Sequence, residues 1–147
     1  MPPDSQTRRD AATNFYRPLA EASDGARRVG WESEAAHRAR LNGIAAALQP
    51  LSAYATLLDA GCGEGALLPV LRAAGFNGIY VGVDILPYMV AKAETLHSDD
   101  NARFEVCDAF LGPAFDAERY DAVICSGALN TFVTDDHDSE VCTALSA

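Results

Sequence analysis

Leu57-Leu58-Asp59-Ala60-Gly61-Cys62-Gly63-Glu64-Gly65-Ala66 decides how this chain folds. An apolar run closes on an acid, Asp59, breaks into glycine at alternate positions, and resumes as the helix-like Leu67-Leu68-Pro69-Val70-Leu71. The pattern reads as a buried strand, a tight turn and the start of a helix. Gly61, Gly63 and Gly65 leave the turn without side chains, so backbone N–H groups and the helix N-terminus can approach a bound ligand closely. The carboxylate at the strand end suits a ligand with a cationic or hydroxyl-bearing part.

The same alternation continues downstream. Residues 78–84 (Gly-Ile-Tyr-Val-Gly-Val-Asp) form a second strand, and Pro87 opens a helix running through Met89, Val90, Ala93 and Leu96, with proline in its favoured first turn. Residues 103–107 and 120–125 are the third and fourth strands, with Pro113 and Asp116 in the connection between them. An amphipathic stretch begins near residue 135. Upstream, Ser33 caps a helix that reaches residue 49, places Leu41, Ile44, Ala45 and Leu48 on one face and stops at Pro50. Residues 1–13 are polar with two prolines and predict a mobile tail, followed by a short helix at Phe15, Tyr16 and Leu19. Strands alternating with helices at this spacing predict an α/β domain: a parallel sheet with helices on both faces.

At 147 residues, 49% hydrophobic and 22% charged, the composition is that of one globular domain. No run approaches the roughly 20 apolar residues of a membrane span, and the N-terminus lacks a secretory apolar core. The expected location is therefore cytoplasmic, with no membrane partner. Cys62, Cys107, Cys125 and Cys142 form no C-x-x-C pair and read as small hydrophobes. His37, His97 and His137 have no metal-ligand spacing, so no metal is expected. The net charge of −10 is uneven: residues 1–40 hold seven basic and six acidic side chains, and residues 97–147 hold two basic and eleven acidic. So acidic a C-terminal half repels phosphate backbones, which predicts a small-molecule partner and no nucleic acid.

Three acids carry the chemistry. Asp59 ends the first strand, Asp84 the second, and Asp108 follows the third. Ligands of open parallel sheets bind at the carboxyl ends of the strands, so these carboxylates line one crevice and can meet different parts of a single extended ligand. In this layout, along residues 30–130, the chain resembles the class I S-adenosylmethionine-dependent methyltransferases. The resemblance implies a Rossmann-like fold with strand order 3-2-1-4, S-adenosylmethionine as cofactor and methyl transfer as activity. It implies that Gly61, Cys62, Gly63 and Gly65 cradle the methionine portion with Asp59 close by, and that Asp84 accepts from both ribose hydroxyls. Ile85 then packs on adenine, Asp108 accepts from the adenine amino group, Ala109 or Phe110 covers the ring, and Ser126, in Cys125-Ser126-Gly127, approaches the sulfonium.

A narrower resemblance, carried by Val29-Gly30-Trp31-Glu32-Ser33, Tyr80-Val81-Gly82-Val83-Asp84-Ile85 and Cys125-Ser126-Gly127-Ala128-Leu129-Asn130, is to a bacterial group of small class I methyltransferases of unassigned substrate. That group has an Arg at position 40, which as Arg40 would clamp the cofactor carboxylate. It has Gln where this chain has His37, and usually a Ser cap where this chain has Leu86. The resembled fold has seven strands and this chain supplies four. Residues 1–30 thus read as tail and short helix, and residues 31–147 as a partial methyltransferase domain ending after strand four. Its exposed strand-four edge invites self-association.

No catalytic base is assigned, although Tyr16, Tyr120 and Asn130 are placed where they can face a substrate. Two other readings stay open. Gly61-Cys62-Gly63-Glu64-Gly65-Ala66 also fits the loose dinucleotide fingerprint, with Asp84 about 20 residues on, as in a nicotinamide-dependent oxidoreductase. The chain can also be read as a non-catalytic binding module.

Overall fold

The computed structural model describes residues 4–109 and 119–126. Strands β1 (Thr56–Ala60), β2 (Ile79–Asp84), β3 (Ala102–Val106) and β4 (Ala122–Cys125) form one sheet in the order β3-β2-β1-β4. Every pairing is parallel. The expected order and sense are both present, with helices packed around the sheet. Helix α1 spans Ser5–Ala22, α2 Glu34–Ala47, α3 Leu67–Ala73 and α4 Pro87–Leu96.

Central β1 is buried on both sides, and Leu57, Leu58 and Ala60 have no exposed surface. This is why its sequence is a continuous apolar run without polar alternation. The alternation of the pleat survives in what each residue packs against. Leu57, Tyr80, Phe104 and Ile124 join Ala45 of α2, Leu67, Leu68 and Leu71 of α3, and Val90 and Ala93 of α4. Leu58, Ala60, Val81 and Val83 join Ala109 on the opposite face, with Cys107, Tyr120 and Cys125 against them.

The N-terminus differs from its reading as a mobile tail. Helix α1 begins at Ser5, where the Asp4 carboxylate accepts a bond from the Thr7 N–H at 2.8 Å. Arg8, Ala12 and Tyr16 follow one another at i, i+4 and i+8 and so share a face. Ala12 is buried with Leu86 and Met89 at the start of α4, and Tyr16 packs against the same cluster. The inner stripe of α1 contains an arginine and an alanine in place of large apolar residues, so apolar periodicity did not mark it. Leu86, at the cap position of α4, makes no side-chain cap bond and is buried, and Pro87 takes the first helical position.

Among the described residues β4 pairs with β1 alone. The expectations placed on Phe110, Pro113, Asp116, Gly127, Ala128, Leu129, Asn130, His137, Cys142 and the stretch from 135 onward lie outside the described residues. Among the described residues no helix is long and apolar enough to cross a membrane.

Candidate functional site

The carboxyl ends of β1, β2 and β3 deliver Asp59, Asp84 and Asp108 to one cavity of about 630 Å³, a size typical of small-molecule sites. Gly61, Cys62, Gly63, Ile85, Ala109 and Ser126 also line it. The sheet forms its floor. Helix α1 supplies Arg8, Ala12 and Tyr16 from above, and the 3-10 turn Gly25–Val29 covers the glycine turn.

The glycine turn is tied to β2 through its backbone: the N–H groups of Gly61 and Cys62 both donate to the Val83 carbonyl, at 2.8 and 3.0 Å. Gly61 and Gly63 have φ of +77° and +56°, a region that side-chain-bearing residues rarely adopt. Gly63 N–H donates to Asp84 at 2.9 Å and Leu86 N–H donates to its other oxygen at 3.0 Å. Each carboxylate oxygen accepts more than one bond, so Asp84 is oriented by its own backbone and keeps acceptor capacity toward the cavity. Burial holds its pKa above the usual aspartate value, opposed by the N–H donors of Leu86, Gly63 and Ile85.

Gly65 has a different task from its two neighbours. It does not line the cavity. At φ +78°, a Cβ there would lie 2.8 Å from the Phe104 ring and 2.9 Å from His97. The third glycine therefore lets the turn pack onto β3 and the end of α4.

Asp59 is 5% exposed and accepts a hydrogen bond from the hydroxyl of the fully buried Tyr80. The two lie on the same face of adjacent parallel strands, with Leu57 opposite Tyr80 in the register. Desolvation raises the Asp59 pKa to about 6, against the lowering effect of the Tyr80 bond. Between the unfolded value near 3.9 and the folded one, the native state holds a proton that the unfolded state has released. This group's contribution to stability is therefore greatest at acid pH, falls as the pH rises to about 6, and stays low above that. Asp59→Asn should raise stability at pH 7.5 by roughly 1–3 kcal/mol and flatten the pH dependence between about pH 4 and 6. Thermal melts across that range check this, and an unchanged slope would mean that Asp59 is not the titrating group.

Asp108 is engaged from an unexpected direction. Arg8 Nε lies 2.9 Å from its carboxylate, with both side chains less than a tenth exposed. The N-terminal helix is thereby joined to the third strand end inside the cavity. Tyr16 also faces the cavity, where burial and the Asp84 charge raise its phenol pKa. Tyr120 instead packs in the core on the opposite face of the sheet.

Arg40 is not brought to the site. The cavity-facing stripe of α2 is His37, Leu41 and Ile44, and Arg40, one residue and about 100° from Leu41, is exposed with its guanidinium 5.8 Å from the Trp31 ring centre. Trp31 in turn stacks on His37, at 5.3 Å between ring centres. Arg28 lines the cavity in its place.

Residues 57–146 match the family model described as "Methyltransferase domain". The chain is 37% identical over 120 residues to the ribosomal RNA large subunit methyltransferase E of Cenarchaeum symbiosum (strain A), a match covering 79% of this chain. It spans about half the length of that curated relative, 54%. Among solved structures, it is similar to magnesium protoporphyrin IX methyltransferase from Synechocystis PCC 6803 with bound S-adenosylmethionine, at 27% identity and TM-score 0.64, covering 98% of this chain and 71% of that one. The same enzyme with bound S-adenosylhomocysteine aligns at 26% identity and TM-score 0.63, covering 98% of this chain and 68% of that one.

The exclusion of nucleic acid drawn from net charge does not stand, because a relative with this domain is named for ribosomal RNA. Net charge governs long-range attraction and does not determine which acceptor a cofactor domain serves. The cofactor of the Synechocystis complexes fits the residues present here. The positive-φ glycines Gly61 and Gly63 line the cavity without side chains, Asp84 is pre-oriented by backbone N–H groups, and Asp59 presents a buried carboxylate. Fold, cavity and family match agree: the chain belongs to the S-adenosylmethionine-dependent methyltransferase family, with S-adenosylmethionine as its cofactor.

Proposed function

We propose that this chain transfers the methyl group of S-adenosylmethionine to an acceptor that meets it at the Ser126 side of the cavity. The supporting observation is the convergence of Asp59, the Gly61–Gly63 turn and Asp84 on one cavity. When bound, the cofactor supplies a methyl group already activated on a sulfonium, so the protein's contribution is alignment and exclusion of water. Asp84 takes the two ribose hydroxyls. Gly61, Cys62 and Gly63 hold the methionine portion, with Asp59 on its ammonium. Ile85 and Ala109 sandwich the adenine, and Asp108, steadied by Arg8, accepts from the adenine amino group. Helix α1 shields the site from water through Ala12 and Tyr16.

A small-molecule acceptor is the reading we favour, supported by the similarity of 98% of this chain to a magnesium protoporphyrin IX methyltransferase. Ribosomal RNA is the second reading, favoured by the archaeal relative. Incubation with methyl-labelled S-adenosylmethionine and, in separate arms, a metabolite extract and ribosomal RNA tests both. Label should appear in the metabolite arm, and label confined to RNA would replace the first reading by the second. A chain that neither binds S-adenosylhomocysteine nor transfers label would overturn the function itself.

A further inference from the structure

We infer that Tyr80 is a positioning residue that holds the Asp59 carboxylate in place, and in its charged form, to receive the cofactor's ammonium group; the assignment rests on the cofactor reading of the cavity given above. Tyr80 is fully buried in β2 and is not part of the cavity wall, so it reaches a ligand only through Asp59. Its hydroxyl donates to Asp59 Oδ2. Among the described residues no other group donates to that carboxylate, and no Lys or Arg is paired with it. The other two strand-end acids are held differently: Asp84 by the backbone N–H groups of Gly63 and Leu86, and Asp108 by Arg8. The Tyr80 ring is itself fixed, packed on Phe104 at 5.8 Å between ring centres. Beside it, the space over Gly82, the register partner of Asp59, is filled by Phe104 and Cys62: a Cβ there would lie 2.8 Å from one and 3.0 Å from the other.

A buried carboxylate is costly to ionise, and a hydrogen bond to its charged form lowers that cost. Burial raises the Asp59 pKa to about 6, and the Tyr80 bond opposes the rise. At neutral pH the acid is therefore mostly charged and can take an ammonium; without the hydroxyl it would keep its proton to higher pH. The neighbouring groups do not supply this control. Asp84, at the end of β2, adds a negative charge that pushes Asp59 the other way. Burial raises the Cys62 thiol of the glycine turn well above its usual value, so it stays neutral. From β4, Ile124 stands opposite Asp59 in the register and carries no charge. Glu34 and His37 of α2 line the same cavity, with His37 lowered by burial. Arg28 of the 3-10 turn is paired with Glu64, and Arg8 of α1 with Asp108. All of these are unchanged in Tyr80→Phe, so comparing that variant with the wild type isolates the hydroxyl.

The test is calorimetric titration of the full chain, from about pH 5 to about pH 9, with S-adenosylhomocysteine and with methylthioadenosine, which lacks the amino-acid tail. Wild-type affinity for S-adenosylhomocysteine should fall as the pH drops through about 6. In Tyr80→Phe the fall should begin about one to two pH units higher, as for a lost bond to a charged group. The variant should then bind about fivefold or more weakly than the wild type at about pH 6, and within about twofold of it at about pH 9. Methylthioadenosine should bind both proteins alike at every pH, which also shows that the variant is folded. Thermal melts without ligand read the same link. The loss of stability with rising pH, which ends near 6 in the wild type, should extend upward in Tyr80→Phe by the same interval. In an Asp59→Asn background, Tyr80→Phe should move no pH midpoint. A pH-independent loss of S-adenosylhomocysteine, an equal loss of methylthioadenosine, or an unmoved melt profile overturns the assignment and leaves the cofactor reading standing. A wild type that binds neither ligand overturns the cofactor reading and this inference with it.

Discussion

Asp84→Ala should weaken S-adenosylhomocysteine binding by roughly 2–3 kcal/mol, more than any other single change in the cavity. The loss has two sources. Hydrogen bonds from ribose hydroxyls to an ionised carboxylate are among the stronger ones available to a neutral ligand. The same oxygens also hold Gly63 and Leu86 N–H, so alanine releases the turn that the ligand rests on. Asp84→Asn separates these contributions, because its amide oxygen still accepts one backbone bond but its NH2 cannot accept. Calorimetric titration beside a thermal melt reads both effects. Wild-type affinity in Asp84→Ala would remove this residue from the binding site.

Gly65→Ala should destabilise the fold strongly. Its methyl group would enter within 2.8 Å of Phe104 while the backbone sits at φ +78°. Overpacking costs about 1–3 kcal/mol, and a left-handed backbone without glycine about 1–2 more. A fall in melting temperature of roughly 10 °C is the expected reading. Protein that remains folded should bind S-adenosylhomocysteine as the wild type does, since residue 65 lies outside the cavity. An unchanged melt with a lost affinity would return Gly65 to the cradle.

These two residues show what the sequence could and could not disclose. Sheet order, the three strand-end acids and the two cavity-lining glycines were legible because each is a local pattern: an apolar run, an acid at its end, a glycine turn. Gly65 shares that spacing, but the fold uses its missing side chain against Phe104, which only the tertiary packing reveals. Tyr80 on Asp59 had a findable signal, since parallel neighbours on one face meet diagonally once the register is known. Arg8 on Asp108 had none, because the partners are 100 residues apart and nothing local pairs them. The role for Arg40 came from the resemblance alone, whereas the apolar stripe read from the sequence already faces Leu41 and Ile44 inward and leaves Arg40 a 100° step away.

The Arg8–Asp108 pair also sets a timetable. Helix α1 is synthesised ahead of the sheet, and the ion pair that fastens it to the sheet joins residues 100 positions apart. At about 5–20 residues per second, roughly 5–20 s of synthesis separate the two. The sheet from β1 to β3 is complete in the growing chain before that fastening can close. The floor of the cavity from β1 to β3 is therefore made first, and a helix synthesised before it is latched over it only afterwards.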